Sequence, residues 1–154
     1  MHDMKTAASY LCSRYENEFG ERIDEMKLHK LMYFAQRESL IQTGEPLFEE
    51  EFQGWRFGPV LPPLRDLYKN YDFAEVSGED LGEDRAALDA VFNEYGYSDS
   101  WNLSRLSHSE ICWKRSRKGI APNESSKNVI PLDDIRIDAA RIKERRALLA
   151  QGLL

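Results

Sequence analysis

The 154 residues include 42% hydrophobic and 31% charged side chains, enough for one ordinary core beneath a well-solvated surface. The net charge of −6 is uneven, with 10 basic and 21 acidic side chains in residues 1–102 against 11 basic and 6 acidic in residues 103–154. An acidic body with a basic last third argues against broad nucleic-acid binding and fits a basic protein partner, or head-to-tail contact in a homo-oligomer. No apolar run approaches the roughly 18 residues of a membrane span. Met1–Lys5 lacks the basic stretch and apolar segment of a secretory signal. Cys12 and Cys112 alone make no disulfide framework, so a reduced, cytoplasmic setting is expected.

In chain order, Ala8, Leu11, Cys12 and Tyr15 recur at helical spacing and predict a first helix over 4–17. Asp24 reads as an N-cap, with Ile23 and Leu28 placed as a hydrophobic staple, and Gly44 as the matching C-terminal stop. Leu31 to Ala35 between them are apolar all round the helix, which predicts a central, buried element. Phe52, Trp55 and Phe57 are bulky and β-prone, so 48–57 should hold one or two short strands, ended by Gly58-Pro59. Pro62 and Pro63 suit the first turn of a third helix with Leu64, Leu67, Tyr68 and Tyr71 on its apolar stripe. After a polar connection over 77–84, a further stripe of Leu88, Val91, Phe92 and Tyr95 is closed by Gly96.

A shorter helix over 99–110 carries Trp101, Leu103 and Leu106, and 114–128 reads as a basic loop. Val129 and Ile130 suit a short strand, and 132–150 a last helix. The expected fold is a single compact domain over 1–154, α+β and predominantly helical, with five to six helices and a small β element.

Catalytic constellations are missing from this pattern. His108 and Cys112 are four apart, but the chain offers no CxxC or HxxxH and too few ligands for zinc. There is no GxSxG elbow, and the glycines stand apart rather than forming a phosphate-binding loop. Glu49, Glu50 and Glu51 form a charge run beside a strand, not a pair of carboxylates in contrasting environments. The sequence therefore reads as a non-enzyme with no metal and no cofactor. Trp113, followed by Lys114, Arg115, Arg117 and Lys118, is the one pattern able to grip a nucleic-acid backbone and stack a base.

Two blocks carry a family resemblance. The first runs from Lys27 to Gln36, followed by Gly44-Glu45-Pro46-Leu47-Phe48 and Trp55-Arg56-Phe57-Gly58-Pro59-Val60. The second is Leu103-Ser104-Arg105-Leu106-Ser107-His108, with Trp113 five residues later. In order and spacing these resemble the Panacea domain, a phage-associated domain found in antitoxins of bacterial toxin–antitoxin modules. The resemblance implies a helix-rich protein that neutralises a cognate protein toxin by direct contact. One branch of the family resembles proteolytic adaptors that deliver a toxin to a AAA+ protease. Members that bind operator DNA carry an extra domain; this sequence shows no second domain and no evident helix-turn-helix.

The leading expectation is an antitoxin whose contact surface lies near 45–60 or the basic 114–127 segment. Its partner-binding candidates are Glu49, Glu50, Glu51, Trp55, Trp113, Lys114, Arg115 and Arg117. Tryptophan and arginine are favoured interface anchors, and the acidic stretch would steer a basic toxin. The alternatives are a phage or mobile-element adaptor that binds a host protein or feeds a AAA+ protease, and an RNA-binding module built on Trp113.

Overall fold

A computed structural model describes residues 1–154. The elements run α1 Met4–Phe19, α2 Glu25–Thr43, β1 Phe52–Trp55, β2 Gly58–Val60, α3 Pro62–Lys69, α4 Asp84–Tyr95, α5 Ser100–Ser107, α6 Ile111–Ser116, β3 Val129–Ile130 and α7 Leu132–Ala150. A 3₁₀ turn at Gly78–Leu81 lies in the connection expected to be only polar loop. The architecture is α+β and predominantly helical, as the sequence predicts, with one helix more than expected.

Helix α2 organises the rest because both its ends are set locally. The Asp24 carboxylate accepts the Lys27 N–H over 2.9 Å at the start. At the finish Gly44, at φ +77, returns its own N–H to the Leu40 carbonyl. Residues 27–40 are buried on every side, against α1, α3, α4, α5, α7 and β2. Leu31 to Ala35 all join one apolar cluster of 30 buried residues. Each large side chain in it contributes about 1.5–3 kcal/mol by leaving water.

The polar side chains of α2 are buried too, so each needs a partner. The Gln36 amide donates to the Phe48 carbonyl over 3.0 Å and accepts the Leu47 N–H over 2.7 Å. This holds the chain reversal that leads into β1. Arg37 pairs with Glu110, which also accepts from Arg141 of α7 over 2.9 Å. Arg146 grips Glu38 through two bonds of 3.0 and 2.9 Å. These contacts bind α7 to the central helix.

The strands form an antiparallel sheet in the order β2-β1-β3. Trp55 pairs with Gly58, so Arg56 and Phe57 are the whole turn between β1 and β2. Gly58 and Pro59, expected to end the strand region, instead open β2. The edge position explains this: a proline lacking an N–H is tolerated where one side of the strand has no neighbour.

Helix α6 is the element the sequence hides. Lys114 and Arg115, expected in a loop, belong to it. Its start is capped from a distance: Asp138 of α7 accepts the Ile111 N–H over 3.0 Å and the Cys112 N–H over 2.8 Å.

Candidate partner-binding site

A cavity of about 420 Å³ opens between the start of α2, the β1–β2 hairpin and α3. It is lined by Glu25, Met26, His29, Lys30, Trp55, Arg56, Phe57, Val60, Arg65 and Ser125. The lining combines large apolar surfaces with three cations and a single carboxylate. Glu25 is occupied, with His29 Nε2 at 3.0 Å and Arg65 Nε at 3.2 Å. Arg65 also lies over the Trp55 ring, 5.0 Å from its centre, and Arg56 over the Phe57 ring at 4.8 Å.

Two side chains at the cavity come from the buried part of α2. His29 accepts the Leu61 N–H at Nδ1 over 3.1 Å, which leaves the proton on Nε2 facing Glu25. Burial pushes its pKa down, and the Glu25 bond only partly opposes this. Lys30 is 1% exposed, and its Nζ makes one hydrogen bond, donating to the Pro59 carbonyl over 3.1 Å. Burial lowers its pKa to about 8, against the weaker pull of Glu25. Gly58 makes room for this lysine. A Cβ there would stand 2.7 Å from Lys30 Cε and 2.4 Å from Ser107 Oγ.

Beside the cavity, Phe57 at the hairpin tip meets Trp101 in the first turn of α5. Their rings lie 5.5 Å apart at 87°. Ser104 Oγ fixes the pairing by donating to the Phe57 carbonyl over 2.6 Å, and Asp99 caps α5 by accepting the Asn102 N–H. Trp101 is 62% and Phe57 40% exposed. Two large aromatic rings held in fixed geometry yet open to solvent have the form of interface anchors. Arg105, one turn after Trp101, is also exposed.

The residues singled out from sequence fall into separate places. Trp55 is half-buried and lines the cavity. Trp113 is half-buried as a brace: its indole N–H donates to the Trp55 carbonyl over 2.8 Å, and one face stacks on His108 at 4.1 Å and 9°. His108 is pushed toward the neutral form by burial and by the nearby Lys30 and Arg117 charges. Arg117 is 6% exposed and spends its guanidinium on the carbonyls of Gly54, Ala121 and Glu124.

Arg117 thus ties down the segment it was expected to leave free, and a base has little access to Trp113. Lys114 and Arg115 are exposed, with Arg115 3.4 Å from Asp134. Glu49, Glu50 and Glu51 lie beyond the other end of β1, around a second cavity with Ile130, Leu132 and Ile135. Hence the acidic run and the aromatic face are distinct surfaces. Sequence reasoning missed Lys30, Phe57, Arg65 and Trp101 as site residues. The hairpin turn placing Phe57 was the available signal.

The family model described as "Antitoxin SocA-like, Panacea domain" matches residues 28–114. The chain belongs to this family. The matched span runs from α2 through α6 and so includes most of the cavity wall, the hairpin and the Phe57–Trp101 pair. Antitoxin SocA of Caulobacter vibrioides (strain NA1000 / CB15N) is 45% identical over 40 residues, a match that covers 26% of this chain and 21% of that protein. No solved structure matches the chain. No helix is long and apolar enough to cross a membrane.

Proposed function

We propose that this chain is the antitoxin of a toxin–antitoxin module and neutralises its toxin by direct protein contact at the face formed by Trp55, Arg56, Phe57, Arg65 and Trp101. The observation that carries the reading is the exposed Phe57–Trp101 pair beside the cavity, within the span matched by the antitoxin family. A ring held edge-on by its neighbour, on a main chain anchored by the Ser104 bond, gives up little freedom on docking, so most of its burial would go into affinity. The local cations Lys30, Arg56, Arg65 and Arg105 suit an acidic toxin surface. This replaces the basic partner suggested by the overall charge of residues 1–102. A site whose work is docking needs no catalytic group, and the role is non-enzymatic.

The test is co-expression with the product of the neighbouring gene. That product should arrest growth alone, and this chain should restore it. The double variant Phe57→Ala/Trp101→Ala should lose the rescue while keeping its helical circular-dichroism spectrum. A neighbouring product that is harmless alone, or rescue by the double variant, would refute the reading.

A further inference from the structure

Lys30, with its amine buried, is an unusual residue to find in the lining of an apolar cavity. An ammonium has three N–H donors, and the fold gives this one a single acceptor, the Pro59 carbonyl. No carboxylate lies within ion-pair distance, since the only acidic group in the lining, Glu25, is held by His29 and Arg65. A lysine kept only for packing would be replaced at lower cost by an apolar side chain of similar length. The surroundings show what the free donors suit. Met26, Trp55 and Val60 supply apolar walls, and Arg65 and Arg56 add two more cations at the mouth. Volume, apolar lining and excess positive charge together match an anion carried on an apolar group.

We propose that this cavity is a carboxylate receptor. It seats a carboxylate borne next to an apolar side chain of the bound partner, with the anion on the open donors of Lys30 and the apolar group against Met26 and Trp55. The proposal deepens the antitoxin reading and rests on it for the identity of the partner, the toxin. A carboxylate accepting from the Lys30 amine makes a charge-assisted bond that gains strength from the apolar surroundings. The carboxylate has two sources in a protein chain, the last residue or an acidic side chain, and both present the same chemistry.

The experiment uses small probes whose binding needs no toxin. Titration of the full chain with N-acetyl-phenylalanine and with its amide is followed through the carbon-bound ring proton resonances of Trp55. The acid should bind at least about tenfold tighter than the amide, the scale expected for a charged hydrogen bond in a buried setting. Lys30→Met should remove that preference. If the variant does not fold, the wild-type chain at about pH 10 supplies the same comparison, with Lys30 neutral and both arginines charged. The titratable and charged groups around Lys30 are Glu25 and His29 of α2 and His108 after α5, with Arg56 of the hairpin and Arg65 of α3 lining the same cavity.

Equal binding of acid and amide, or a preference that survives the loss of the Lys30 charge, overturns the proposal. An amidated peptide with an internal Asp-Phe pair, set against N-acetyl-phenylalanine, assigns the source to side chain or chain end. Loss of acid binding in Lys30→Met with toxin rescue intact would remove the toxin from this cavity and leave the antitoxin reading standing. Acid binding in a chain that rescues nothing would do the reverse.

Discussion

The indole N–H of Trp113 donates to the main-chain carbonyl of Trp55 over 2.8 Å, so one tryptophan positions the strand that carries the other. Two residues that look equivalent in sequence therefore have different jobs. Trp113→Phe keeps a ring to stack on His108 but deletes the donor. It should cost about 1–2 kcal/mol in urea denaturation. Trp101→Ala, at an exposed ring, should change stability by less than about 1 kcal/mol while removing toxin binding. A large stability loss in Trp101→Ala would make it a core residue instead.

The Lys30 amine gives a pH signature. Its folded pKa is about 8, against an ordinary 10.5. Between those values the unfolded chain holds the proton that the folded chain has released, so this group makes stability rise with pH. Below pH 8 the buried charge opposes folding by up to about 3 kcal/mol. Lys30→Met should raise the urea midpoint at pH 7 and flatten the dependence between pH 8 and 10. Parallel pH profiles for variant and wild type would contradict this.

Asp138 should show a dependence of the same sign at the acid end. Burial acts to raise its pKa, but the N–H groups of Cys112 and Ile111, with Arg141, outweigh it and hold the carboxyl below 3.8. Its contribution is present above that value and is lost as pH falls through the folded pKa. Asp138→Ala should cost about 2–3 kcal/mol, since two buried N–H groups lose their acceptor. Hydrogen exchange should rise first at Ile111 and Cys112.

At Gly58 the backbone has φ +115, and a Cβ would also meet Lys30 and Ser107. Gly58→Ala should therefore destabilise by roughly 2–3 kcal/mol. It should also displace the lysine from the cavity wall. Thermal melting and the N-acetyl-phenylalanine titration would read the two effects separately.

Much of the fold can be read from sequence because its determinants are local. Asp24 and Gly44 bracket α2, and the prolines at 62–63 open α3. Leu132–Ala150 needs only its own periodicity. Helix α6 escapes notice because its six residues lack a stripe and its cap comes from Asp138, which is remote in sequence. The site is harder to read for a related reason. Lys30 and Arg117 look like any solvated cation until the tertiary structure buries them. Trp101 occupies a position that pattern alone assigns to the core, yet α5 turns it outward.

The β1–β2 reversal consists of just Arg56 and Phe57, and the bond that anchors it is received by the Phe57 carbonyl, an atom present in every amino acid. A substitution at this tip that keeps the turn conformation leaves that main-chain acceptor for Ser104 in place. On the proposed docking at this face, recognition would drift by point substitution without asking the interior to adapt. On that reading, a graft of this dipeptide, together with the residue at 101, is the smallest unit by which one partner preference would be transplanted into another protein of this fold.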